Sequence, residues 1–180
     1  EVRDGTLTSL PDCVRPTVAL LCQQFLHLQA QIARLDKMIF AASRQDKRVR
    51  LLQTIPGVGP ITASAIVATI GEPQRFRSGR DFAAWIGLTP LNKSSGGKER
   101  LGRITKMGDR YLRRLLVSGM TARIGHARRQ PDCVDPWVIR LLGRKPTRLA
   151  TIAMANKTAR IIWAVLTRQK PYQAPQFAAA

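Results

Sequence analysis

Acidic residues are scarce in this 180-residue chain: 11 Asp and Glu stand against 30 Lys and Arg, for a net charge of +19. The acids are scattered, with no grouping at metal-ligand spacing, which argues against a self-contained two-metal nuclease. Histidine is nearly missing, with only His27 and His126, and the three cysteines (Cys13, Cys22, Cys133) are odd in number and lack CxxC spacing. Neither a zinc site nor a disulfide framework is suggested, and no metal ligand is assigned in this chain. Long apolar runs are missing too. The longest, Ile61 to Ile70, is interrupted by Thr and Ser and falls far short of a bilayer's thickness, and the basic residues are not gathered on one amphipathic helix. A membrane partner is therefore not expected. Nor does any stretch alternate apolar and polar residues for more than about four positions, so the fold class predicted is all-α. The chain opens on Glu1 without a methionine or a visible signal peptide, and reads as a piece of a longer protein.

What is present is an ordinary hydrophobic share of 44%, enough for a globular core, carrying an abnormal positive charge. Self-repulsion of that size is tolerable mainly beside a polyanion, and nucleic acid is the commonest one.

Residues 1–17 contain Gly5, Pro11 and Pro16 and read as a linker. Val18, Leu21, Phe25, Leu28, Ile32, Leu35 and Ile39 then follow at alternating spacings of three and four, one seam of a long coiled-coil-type helix over 18–44. Such a seam packs either on its own domain or on a second copy. Its strict a/d spacing is narrower than a usual core-facing stripe and favours a homo-oligomer, at least a dimer. A compact helical domain is expected over 45–170, followed by a tail at 171–180.

That domain starts with a candidate helix-hairpin-helix at 51–70. Ile55-Pro56-Gly57-Val58-Gly59-Pro60 joins an apolar helix end to a proline-initiated helix. In such a motif Gly57, Val58 and Gly59 expose backbone N–H groups beside a helix N-terminus and can cradle a phosphate. A plain turn between packed helices would use the same glycines. Ser78 to Asp81 has the pattern of an N-cap, followed by a short helix with Phe82, Trp85 and Ile86 as its buried face and Gly87 as its stop. Helices are further expected from Gly108 to about Arg123, from Trp137 to Leu142 and from Arg148 to Thr167.

Between them, 88–106 reads as an exposed loop. From Lys93 to Arg114 there are eight Lys or Arg residues, opposed only by Glu99 and Asp109, and the loop holds Ser94, Ser95, Gly96 and Gly97. A serine hydroxyl can attack a phosphodiester where cations stabilise the oxyanion; Lys98, Arg100, Arg103 and Lys106 are placed to do so, with Arg110 as a further phosphate contact. Two tyrosine alternatives are weaker. His126 to Arg129 forms an HxxR string, but Tyr111 precedes it and Tyr172 lies in a proline-rich tail. Tyr111 among Arg110, Arg113 and Arg114 has the look of a half-buried helical tyrosine flanked by solvated arginines.

Taken in order, IPGVGPITASAIVATIG, RFRSGRDFAAWIGLTP and SSGGKERLGRITKMGDRYLRRLLV resemble the C-terminal region of transposases of the insertion-sequence-110 family, as does Ala155 to Arg160 leading to Trp163. The resemblance covers roughly 51–166. It implies a DNA partner and a nucleophilic serine immediately before a glycine, which is Ser95 here, with Ser94 as the fallback. It implies RNA-guided recombination, hence a guide RNA for the full-length protein, in the bacterial cytoplasm on the nucleoid. It also implies an N-terminal RuvC-like domain with acidic magnesium ligands, joined through a coiled coil. This sequence contains no such domain, so magnesium is expected in the parent protein and no cofactor in this chain. The alternative is a non-catalytic helix-hairpin-helix module that binds nucleic acid and dimerises.

Overall fold

The computed structural model describes residues 11–92, 101–131 and 134–174. The chain divides into two compact units, 1–42 and 43–180. The first consists, among its described residues, of most of helix α1 (Arg15–Gln45). Leu21, Phe25, Leu28, Ile32 and Leu35 of the heptad are all at least half exposed to solvent, while Val18 and Ile39 are partly covered.

The second unit is helical: α2 (Lys47–Gln53), α3 (Pro60–Ile70), α4 (Gly79–Trp85), α5 (Arg110–Arg129), α6 (Pro136–Arg144) and α7 (Thr147–Arg168). Helix α7 is its spine and packs against α2, α4, α5 and α6. It is long and apolar enough to cross a membrane by length and composition alone. Its Ala155, Ala159, Ile162 and Leu166, spaced four, three and four apart, instead face a core shared with Leu52, Ile66, Phe82, Leu112, Leu116 and Met120. The Trp163 Nε1–H, on the rim of that face, donates to the Pro73 carbonyl at 3.1 Å. Tyr172 does not fray into solvent: it packs on the core, and its N–H donates to Thr54 Oγ1 at 2.8 Å.

The few acids sit largely at helix starts. Asp46 accepts from the Arg48 and Val49 amides at 2.7 and 3.4 Å, Asp109 from the Leu112 amide at 2.8 Å and Asp135 from the Trp137 amide at 2.8 Å. Asp81 lies in the first turn of α4, whose cap is Ser78. Each satisfies orphan N–H groups and complements the positive end of a helix. Burial pushes the Asp46 carboxyl up, but the Arg48 and Val49 amides and the Arg48 guanidinium outweigh it and hold the pKa below its ordinary value. With Asp46, Asp81, Asp109 and Asp135 committed near helix starts, few acids are left to offset the surface cations.

One element departs from the all-helical expectation. Within 88–106 the chain forms a two-stranded antiparallel sheet, β1 (Pro90–Asn92) and β2 (Leu101–Ile104), with Pro90 opposite Ile104 and Asn92 opposite Leu101. Leu88, expected in an exposed loop, is buried at 1% exposure, because the chain leaving α4 turns back into the core before it emerges. Trp85 corrects the expected buried face of α4 in the other sense: it is 38% exposed, since Phe76 and Phe82 pack against it and leave the rest to solvent.

Candidate nucleic-acid interface

The β1–β2 hairpin stands on a base that three distant parts of the chain hold by its carbonyls. Arg113 of α5 donates from Nη1 to the Ile86 carbonyl at 2.7 Å, the Lys106 amide donates to the Gly87 carbonyl at 3.1 Å, and Asn156 of α7 donates from Nδ2 to the Leu88 carbonyl at 3.0 Å. The Thr105 amide adds a bond to the Thr89 carbonyl at 2.9 Å. Three consecutive acceptors at the end of α4 are thereby satisfied, which fixes the direction in which the hairpin leaves the core. Gly87 has φ 78°, and a Cβ there would collide with the Met107 backbone. Only glycine permits this crossing.

Residues 93–100 join the two strands. Ser95, Ser94, Lys98 and Arg100 belong to this stretch and lie outside the described residues. Of the remaining cations assigned to the site, Arg103 is exposed on β2, Lys106 is exposed in the left-handed region at φ 56°, and Arg110 is exposed at the start of α5. Arg103, Lys106 and Arg110 thus lie along one short stretch of chain from β2 to the start of α5. Tyr111 is 51% exposed beside them, the half-buried position expected.

The glycine turn lies between α2 and α3. Gly57 and Gly59 are exposed, and Gly59 has open space around its Cα. Val58 does not share that character: its side chain is buried at 4% exposure and its amide donates to the Ile55 carbonyl at 3.0 Å. A phosphate on this turn would be met by Gly57, Gly59 and the first amides of α3. The turn is seated on α5 by a glycine–glycine contact, since a Cβ on Gly119 would collide with the Gly57 carbonyl oxygen. Gly119→Ala tests that seat. Alanine favours a helix by about 1 kcal/mol over glycine, whereas forcing backbone apart in a packed interior costs about 1–3 kcal/mol. Denaturant unfolding is expected to show net destabilisation; a variant as stable as the parent would mean the contact is not there.

No group of three His, Cys, Asp or Glu among the described residues could hold a metal ion. The magnesium implied by the resemblance has no donor set among them, and no chemistry is assigned to it here.

Asn156 and Gly119 support the site in ways that sequence reasoning passed over, and Arg113, expected to be solvated, is instead bound to the Ile86 carbonyl. The signal available was polarity in the wrong place: an asparagine in the apolar run of α7 and a glycine inside α5, each out of keeping with its own helix.

The relatives of this helical domain place it among the transposases. Residues 49–133 match the model of the Transposase IS116/IS110/IS902 family. A protein of Pseudomonas aeruginosa named "Probable family 20 transposase" is 46% identical over 81% of this chain and 43% of its own length. The transposase for insertion sequence element IS1111A of Coxiella burnetii is 37% identical over 85% of this chain and 42% of its own. That for IS1328 of Yersinia enterocolitica is 36% identical over 88% and 48%. The chain belongs to the IS116/IS110/IS902 family of transposases, and it spans less than half the length of these relatives.

Proposed function

We propose that this chain is the DNA-binding, serine-bearing part of a transposase that cuts and rejoins strands through a covalent serine–DNA link. The observation that carries the reading is the held hairpin base: an eight-residue stretch with Ser95 before a glycine joins two strands whose root is pinned by Arg113, Lys106 and Asn156. A nucleophile gains from a fixed approach, because orientation removes entropy from the barrier.

In the proposed step, Ser95 Oγ attacks a backbone phosphorus. The Oγ–P bond forms, the P–O bond to one deoxyribose breaks, and that oxygen leaves as a hydroxyl. The serine proton passes to a base, which the full-length protein would supply. One phosphodiester replaces another, so no nucleotide cofactor is needed, and the reverse attack by another strand's hydroxyl rejoins the DNA. Lys98, Arg100, Arg103 and Lys106 would neutralise the charge that gathers on the phosphoryl oxygens. Gly57 and Gly59 would hold backbone nearby, α1 would pair with a second copy along its heptad seam, and the full-length protein would take a guide RNA and magnesium.

This chain alone should bind duplex DNA with weak sequence preference and without nicking it, because a serine hydroxyl is a poor nucleophile without an activating base or metal. Binding measured by fluorescence anisotropy should weaken steeply with salt, since each neutralised phosphate releases counterions. A chain that ignores DNA at low salt, or that nicks it unaided, would overturn the reading.

A further inference from the structure

Helix α5 runs about 28 Å from Arg110 at the hairpin base to Arg129. At its far end the chain assembles a second set of cations from three helices. The Arg128 Nη2–H donates to Thr147 Oγ1 at 2.6 Å and so brings the last turn of α5 against the first turn of α7. Arg129 follows on α5, Arg140 and Arg144 lie one turn apart on α6, and Lys145 and Arg148 flank the junction between α6 and α7; all are exposed.

Two features set this pole apart from a merely solvated basic face. The first is the placement of opposite charge. Asp135, the acid described nearest to it in sequence, is committed to the Trp137 amide and to Lys157 at 3.6 Å, and the side chains of Arg129, Arg140, Arg144, Lys145 and Arg148 have no partner among the described residues. The second is that α7, like α3, starts with no side-chain cap and no acid in its first turn, but unlike α3 it carries a cation, Arg148, there. Folding alone would favour an acid there, and Arg148 is unfavourable beside the positive end of a helix. A bound polyanion removes both penalties.

We propose that this pole is a second nucleic-acid surface, holding the phosphate backbone of duplex DNA at the opposite end of α5 from the hairpin. Duplex is favoured over single strands because the pole offers no open aromatic face: Trp137 is covered by Lys157 Nζ, 3.8 Å from its ring centroid. Unpaired bases want such faces for stacking, whereas a duplex backbone needs only charge. Arg140 and Arg144 are one helical turn apart, about 6 Å, close to the spacing of neighbouring phosphates along one strand. The inference shares with the reading above only that the chain binds DNA, and it is independent of Ser95.

The test is the variant Arg140→Gln, Arg144→Gln, Lys145→Gln, Arg148→Gln in this chain, titrated against duplex DNA across a salt series. Each phosphate contact contributes about 0.9 to the slope of log K against log salt, so a loss of about two to four is expected, with affinity at roughly 0.1 M salt down tenfold or more. The melting temperature should change little, because relief of repulsion at the start of α7 offsets the loss of Arg144 and Lys145 from the C-terminal end of α6. Should the fourfold variant melt early, Arg144→Gln with Arg148→Gln carries the same test at about half the slope change. A parent chain that binds duplex steeply, with variants that bind identically, overturns the pole and leaves the DNA-binding reading intact. A parent that binds no DNA overturns both. A larger loss on single-stranded DNA or RNA than on duplex overturns the assignment of duplex as the occupant.

Discussion

Ser95→Ala lowers strand exchange by the full-length transposase by on the order of 10³-fold or more, because the attacking oxygen is gone and water is a poor substitute in a site built for a tethered nucleophile. Ser94→Ala stays within a few-fold of the parent. DNA binding persists in both, since removing one hydroxyl leaves the charge of +19 unchanged. The pair of variants separates chemistry from binding. Normal recombination by Ser95→Ala with loss in Ser94→Ala moves the nucleophile one residue, and normal recombination by both removes the serine mechanism. The comparison requires the full-length protein, because the hydroxyl's activation is assigned outside the described residues of this chain.

Leu28→Asp is expected to convert the proposed dimer of this chain to a monomer. Leu28 lies at the middle of the heptad and is 50% exposed, flanked by Phe25 at 57% and Ile32 at 58%. Burying one leucine contributes about 1.5–3 kcal/mol, lost once from each copy, and a carboxylate in the seam adds a desolvation cost. A rise in the dissociation constant of about 10²-fold or more is expected. Sedimentation equilibrium of parent and variant reads it directly. A parent that is monomeric at high concentration would contradict the proposed pairing of α1 with a second copy.

The helices were legible where a local rule acts alone. Pro60 after Gly59 starts α3, and Ser78 and Gly87 bracket α4, because caps and stops depend on a residue and its nearest neighbours. Helix α5 runs six residues beyond the expected Arg123. The stripe Leu112, Leu116, Met120, Ile124, Ala127 continues to its end, but its Arg- and His-rich outer face makes the last turns look like loop. The hairpin was not legible. Strands of three and four residues are too short to show alternation, and what holds them in place comes from 27 residues away at Arg113 and 68 residues away at Asn156. In the glycine turn, the sequence could not separate Val58 from Gly57 and Gly59. That distinction depends on the core beneath the turn, which takes the valine side chain and leaves the glycines in solvent. The candidate nucleophile was reached through the order of several motifs, not through any local signal, since serine beside glycine is common in loops.

The most direct measurement is to trap the full-length transposase on a DNA substrate that blocks rejoining, digest the protein, and identify by mass spectrometry the residue that carries the nucleotide. The account predicts a phosphodiester on the peptide containing Ser95, at Ser95 itself and absent from Ser95→Ala. A nucleotide on Tyr111 or Tyr172, or efficient strand cleavage with no protein–DNA adduct at all, would contradict it.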